Sequence, residues 1–163
     1  MLTGRKSPWT RELTSCVVSS CGELGWAAAA RGHRLEQLPK PAQEYLALDV
    51  TAFEADVEGW AFPIAVFELE NDPSRLAFSL WKVLAVAAPL RVAVGYAQNQ
   101  ENGASIIEHL RLEIVKAIKP IQLAQLSGEV FVVIGSRGDA TTFPYGFFKW
   151  WGLNQRVGQF ELI

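Results

Sequence analysis

The sequence predicts an α/β domain, a mixed sheet with helices on its faces. Three observations carry that expectation. Segments with apolar residues at helical spacing are interleaved with short runs rich in Val, Ile, Phe and Ala. After residue 71 the two kinds alternate, which is the order that makes parallel strand pairs. Before residue 71 two strand-like runs follow one another directly, as in an antiparallel hairpin. With 163 residues, half of them hydrophobic, the chain is long enough to bury a core as one domain spanning 1–163.

Ser7 as an N-cap and Pro8 at the first helical position open the first helix. Trp9, Leu13, Cys16, Val17, Ser20, Leu24 and Ala28 keep its period, and Gly32 is a stop. After Pro39 and Pro41, residues 44–53 (EYLALDVTAF) read as a strand. Leu46, Leu48 and Val50 line one face, and Tyr45, Asp49 and Thr51 the other. The acidic stretch 54–59 (EADVEG) links it to residues 62–70 (FPIAVFELE), its hairpin partner. Asn71, Asp72, Pro73 and Ser74 then form a turn and a helix start, and Leu76, Leu80, Val83, Leu84 and Ala87 make one stripe ending at Pro89. Residues 90–97 (LRVAVGYA) are a buried strand. Ser105 with Glu108 reads as the capping box of a second amphipathic helix running towards Lys119. Residues 129–135 (EVFVVIG) are another buried strand, and the aromatic, glycine-rich remainder closes on an edge strand in 155–163 (QRVGQFELI).

Fifteen basic against seventeen acidic residues leave a formal charge of −2. This is not the basic excess of a dedicated nucleic-acid binder, although a local basic patch can coexist with it. Cys16 and Cys21 share one predicted helix, point in different directions and cannot bridge each other. With His33 and His109 they make no zinc framework. No continuous apolar run resembles a signal peptide, and none reaches the roughly 18 residues that span a bilayer. The expectation is a cytoplasmic protein with no membrane partner.

Asp49, Glu68 and Glu70 are the residues that invite chemistry. Positions two apart on a strand share a face, so Glu68 and Glu70 point together and so does Val66. Across a hairpin, same-face residues come within about 5 Å, which lets Asp49 face the pair. Two unit charges at that distance repel by roughly 3 kcal/mol at an effective dielectric of 20, so something must offset them. Water, protonation, a basic side chain or a divalent cation can do so. Carboxylates with water are what Mg²⁺ prefers, and a held metal can activate water for phosphodiester attack. A solvated strand face paired with Arg or Lys is the plainer alternative. Against it, Tyr45, Ala47, Phe53, Ile64 and Val66 share that side, leaving the acids as islands among apolar groups.

A helix bearing Glu23, a strand bearing Asp49, a strand ending in Glu68-Leu69-Glu70, then a helix and a strand resemble the PD-(D/E)XK nuclease superfamily. The resemblance covers residues 12–96. It implies a restriction-endonuclease-like mixed sheet flanked by helices, and a Mg²⁺-dependent nuclease for which Mn²⁺ can substitute. On that resemblance Asp49 matches the family's aspartate, and residues 68–70 match its (D/E)-x-K tripeptide, with Glu70 in the lysine's place. Leu48 stands where many members have proline. Lys82, on the following helix, matches the lysine that other members carry there, and it could equally extend into solvent. Glu23 matches an additional helical acid, though an ordinary surface carboxylate is the simpler reading. Asp49, Glu68 and Glu70 would hold the metal, Lys82 would stabilise charge developing on phosphate, and Glu23 would support them from behind. The implied partner is nucleic acid, DNA ahead of RNA, gripped with a homodimer mate or a partner subunit. The runner-up is a catalytically inactive binding or assembly subunit with the same fold.

Two further features stand outside that constellation. Tyr145, Phe147, Phe148, Trp150 and Trp151, with Lys149, could stack bases, but such a cluster more commonly closes a small core or an interface. Residues 135–139 (GSRGD) follow a strand and could hold an anion on backbone amides, yet they lack the lysine and helix of a phosphate loop. An α/β enzyme built on that loop would be stabilised by nucleotide.

Overall fold

The structure is a computed structural model that describes residues 8–56 and 58–163. Ser7, expected to cap the first helix, lies outside them. Among the described residues seven strands form one mixed sheet in chain order. The elements run α1 (Pro8–Glu23), β1 (Trp26–Ala30), β2 (Val50–Glu54), β3 (Ala65–Leu69), α2 (Leu76–Leu84), β4 (Leu90–Ala97), α3 (Gln100–Glu113), α4 (Pro120–Gln125), β5 (Glu129–Ser136), β6 (Phe148–Asn154) and β7 (Gln159–Leu162). β1, β2 and β3 are antiparallel, β3, β4 and β5 are parallel, and β6 and β7 return antiparallel.

The helices divide between the two faces of the sheet. Leu13, Val17 and Val18 of α1 pack on Ala30, Val50, Leu69, Val92, Val94 and Val133. On the other face Leu76, Leu80 and Val83 of α2, with Ile107 and Leu110 of α3, meet Val66, Ala93, Val132 and Ile134. Alternation along β3 and β4 sends even and odd positions to different helices, so these central strands are apolar on both sides. No described helix is long and apolar enough to cross a membrane.

The structure corrects the sequence reading at three places. The first helix ends at Glu23, and residues 26–30 (WAAAA), expected as its continuation, form β1. Gly25 at φ +76° turns the chain between them, a conformation that glycine adopts without steric penalty. Alanine's helix preference is outweighed by burial, because Ala29 and Ala30 are fully covered between α1, β2 and the 35–53 layer. The second strand begins only at Val50. Residues 45–48 form a turn closed by the Leu48 N–H on the Tyr45 carbonyl (3.0 Å), with Leu46 and Ala47 at φ +57° and +55°. The third helix starts at Gln100, capped by the Asn99 side chain on the Asn102 N–H (2.9 Å). Ser105 therefore sits in mid-helix and bonds back to the Glu101 carbonyl (3.2 Å). The 155–163 edge strand is β7, and it is preceded by β6 from the aromatic run.

Candidate functional site

The carboxyl end of β3 meets the start of β2 beneath α2. In the β2–β3 ladder Val50 lies opposite Phe67, so one step further along sets Asp49 opposite Glu68. The two are tied crosswise. The Asp49 N–H donates to Glu68 Oε1 at 3.2 Å, and the Leu69 N–H donates to Asp49 Oδ2 at 2.9 Å. Each acid thus holds the backbone of the other's strand, extending the ladder past its last regular rung. Glu68 shares its face with Val66 and looks towards α2, and it is only 5 % exposed.

Lys82 reaches down from α2 to this pair. Its Nζ lies 2.7 Å from Glu68 Oε1 and donates to the Ala47 carbonyl at 2.8 Å. Phe78, one turn earlier, places its ring 5.5 Å from the same ammonium. The acceptor at Ala47 exists because the 45–48 turn is left-handed at two successive non-glycine residues. That geometry costs about 1–2 kcal/mol per residue, and such strain persists where surrounding contacts over-determine it. Here the closing hydrogen bond, the buried Leu48 and the lysine all hold the turn.

Burial pushes the Glu68 carboxyl above the usual carboxylate range, the neighbouring Asp49 charge pushes the same way, and Lys82 opposes both. Buried charge that is paired and hydrogen-bonded on one oxygen is tolerated. Oε1 takes the Lys82 and Asp49 donors, while Oε2 makes no hydrogen bond with the described residues. The site therefore contains a desolvated acid, a second acid beside it and a fixed cation above.

Two expected members fall elsewhere. Glu70 lies past the end of β3 and is turned into the loop leading to α2. Its Oε1 accepts from the Asp72 N–H (3.0 Å) and its Oε2 lies 3.6 Å from Arg75 Nε. The same loop is capped by Asp72, whose side chain accepts from the Ser74 N–H (3.0 Å). Among the described residues no three His, Cys, Asp or Glu side chains gather closely enough to hold a metal ion, so the expected three-carboxylate cage is not formed. Glu23 is the second correction. It is exposed at the end of α1, next to the turn into Trp26, which pairs with Glu54. Asp49 lies beyond the other end of β2, about 17 Å away along the strand, and α1 packs on the opposite face. Glu23 has no route to the pair.

Sequence reasoning missed the Ala47 carbonyl, because a backbone acceptor leaves no signature in residue type. It also passed over Arg75, whose position just before α2 was a visible signal for a carboxylate partner. The 135–139 segment is not an amide nest. The Gly138 N–H is spent on the Gln98 carbonyl (2.7 Å), and the Ser136 hydroxyl donates to Asp139 Oδ2 (2.6 Å). Comparison with protein-family models, with curated proteins and with solved structures finds no match to this chain.

Proposed function

We propose that the chain is a restriction-endonuclease-like domain that hydrolyses phosphodiester bonds in nucleic acid with Mg²⁺ or Mn²⁺. The observation that carries this is the crosswise pair of Asp49 and Glu68 under Lys82 at the carboxyl end of β3. Its support from the fold is the order helix, three-stranded antiparallel meander, helix, parallel strand, with the pair on the second and third strands. The donor set fits a divalent hard cation, since Mg²⁺ is held by one or two carboxylates and keeps its remaining sites for water and substrate phosphate. Asp49 and Glu68 would hold it, and the ion supplies an activated water and a Lewis acid when bound.

The chain's own groups do the rest. Lys82 fixes the orientation of Glu68 and keeps a positive charge beside the reacting phosphate, where charge develops in the transition state. The 45–48 turn fixes Lys82. Glu70, Asp72 and Arg75 hold the loop into α2 and so set the height of Lys82 above the sheet. DNA is the favoured substrate, with RNA as the alternative, and the free thiols of Cys16 and Cys21 suit a reducing cytoplasm.

The second reading, a nuclease-fold subunit that binds without cutting, has one observation in its favour. Lys82 already pairs with Glu68, so the buried acid has its counter-charge without a metal. Cleavage of single- and double-stranded DNA and RNA with Mg²⁺ or Mn²⁺ separates the two. Asp49→Ala and Glu68→Ala are each expected to cut at least about 100-fold more slowly, while Glu23→Ala cuts like the parent. A parent protein that cuts none of these substrates leaves the binding reading in place. Parent-level cleavage by both acid variants overturns the assignment.

A further inference from the structure

We propose a second site: an aromatic cavity that binds a nucleotide, its base among ring faces and its phosphate on Arg137. The cavity measures about 490 Å³ and is lined by Trp9, Tyr96, Arg137, Ala140, Phe143 and Phe147. That is the size range of sites for single small ligands. It sits at the carboxyl ends of the parallel strands, where open α/β sheets bind ligands. Tyr96 is the last residue but one of β4, and Arg137 follows β5 directly.

The rings stand at steep angles to one another. Trp9 lies 6.3 Å from Tyr96, 6.0 Å from Phe143 and 6.3 Å from Phe147, all edge to face. The lining of the cavity is therefore mostly aromatic ring, the kind of surface against which a planar ligand packs. Gly135 makes the close approach possible, since a Cβ there would meet Phe147 and Tyr96 at 2.7 Å. The Trp9 indole N–H is spent on the Tyr96 hydroxyl (2.6 Å), so the wall presents little unsatisfied polarity.

Arg137 sets the charge of the ligand. Its guanidinium lies 5.7 Å from the centre of the Tyr96 ring and donates at 3.3 Å to the Asn71 carbonyl. Among the described residues it makes no ion pair with a carboxylate. An exposed, uncompensated guanidinium at the mouth of an aromatic cavity suits a planar heteroaromatic ring that carries phosphate. Recognition through ring faces rather than polar edges makes purines bind better than pyrimidines, with little discrimination within each class.

This cavity is separate from the Asp49–Glu68 pair, on the α1 face of the sheet, and the proposal stands without the nuclease reading. The ligand could be a free nucleotide or an unpaired nucleotide of a strand. Calorimetric titration of the full chain in EDTA distinguishes them, using adenosine 5′-monophosphate, adenosine, a short single-stranded oligodeoxyadenylate and the corresponding duplex. Saturable binding of the monophosphate, weakened about tenfold or more by Arg137→Gln, is expected. Adenosine should bind the parent and Arg137→Gln equally weakly, and Phe143→Ala should weaken every ligand roughly tenfold. Both side chains are exposed, and unchanged melting temperatures verify that the variants fold. An oligonucleotide tighter than the monophosphate identifies a strand as the source, and equal affinities identify the free nucleotide. No binding by monophosphate and oligonucleotide, binding unaltered in both variants, or binding of duplex alone overturns the proposal. Because EDTA removes any metal, none of these outcomes depends on whether Asp49→Ala loses cleavage.

Discussion

Lys82→Met is expected to lower stability by about 2–3 kcal/mol near pH 8 and by only about 1 kcal/mol near pH 4, where the loss of the hydrogen bond to the Ala47 carbonyl remains. The substitution keeps the length and apolar stem of the side chain and removes only the ammonium. Glu68 then keeps the Asp49 N–H but loses its charge partner while remaining buried. Removing one member of a fully buried pair costs about 3–5 kcal/mol, and the partial exposure of Lys82, 22 %, discounts that figure.

The pH dependence follows from the direction of the Glu68 shift. Its folded pKa is raised above the unfolded one, by burial first and by Asp49 next. The folded state therefore holds the proton more tightly. The group's contribution to stability is fully present below the unfolded pKa and is lost as pH rises through the folded pKa. Lys82 limits that loss by pulling the folded value down. Without it the folded pKa climbs further, and the loss continues to higher pH. Urea denaturation across this range checks the sign. A stability difference that does not change with pH contradicts the assignment of Lys82 as Glu68's counter-charge. Cleavage should fall together with the charge, by about 100-fold, if the ammonium faces the phosphate.

Gly128→Ala is the second large effect, and it tests the scaffold that holds the site. Gly128 sits at φ +81°, just before β5. A Cβ there would lie 2.0 Å from the Pro89 carbonyl oxygen. That oxygen is the acceptor for the Glu129 N–H (2.7 Å), beside the first rung joining β4 and β5. The neighbouring Arg91, itself buried, spans from the Val86 carbonyl (2.8 Å) to the Ser127 carbonyl (2.6 Å). Relief would need movement of backbone that three hydrogen bonds hold. A left-handed alanine costs about 1–2 kcal/mol, and the overlap adds about 1–3 kcal/mol, so a loss of about 2–5 kcal/mol is expected. The urea midpoint measures it, and a midpoint within error of the parent's contradicts the close β4–β5 entry described above.

The central strands were legible because their periodicity was unambiguous. β4 and β5 are continuous apolar runs, and the 71–74 turn carries its own cap in Asp72. β1 was not legible, because a tetra-alanine run has the composition of a helix and becomes a strand only through the partners that bury it. The 45–48 turn was hidden for a related reason. Tyr45, Leu46 and Leu48 alternate like a strand, yet the chain bends there through two left-handed residues that no residue type announces. The same slip explains the candidate site. Asp49 and Glu68 were placed opposite each other from strand parity, and their register agrees with that placement. Parity also grouped Glu70 with them, but β3 ends at Leu69, and beyond the last rung a side chain is free to turn towards Arg75. Glu23 depended on a longer helix than the one that forms.

Manganese binding tests the central claim most directly, followed by electron paramagnetic resonance on the parent, Asp49→Asn and Glu68→Gln. Both substitutions preserve shape and hydrogen-bond acceptance, from the Leu69 N–H at position 49 and from Lys82 at position 68. The account predicts a single saturable Mn²⁺ site in the parent that is lost in each variant while the fold persists. No site in the parent, or one retained in both variants, contradicts it.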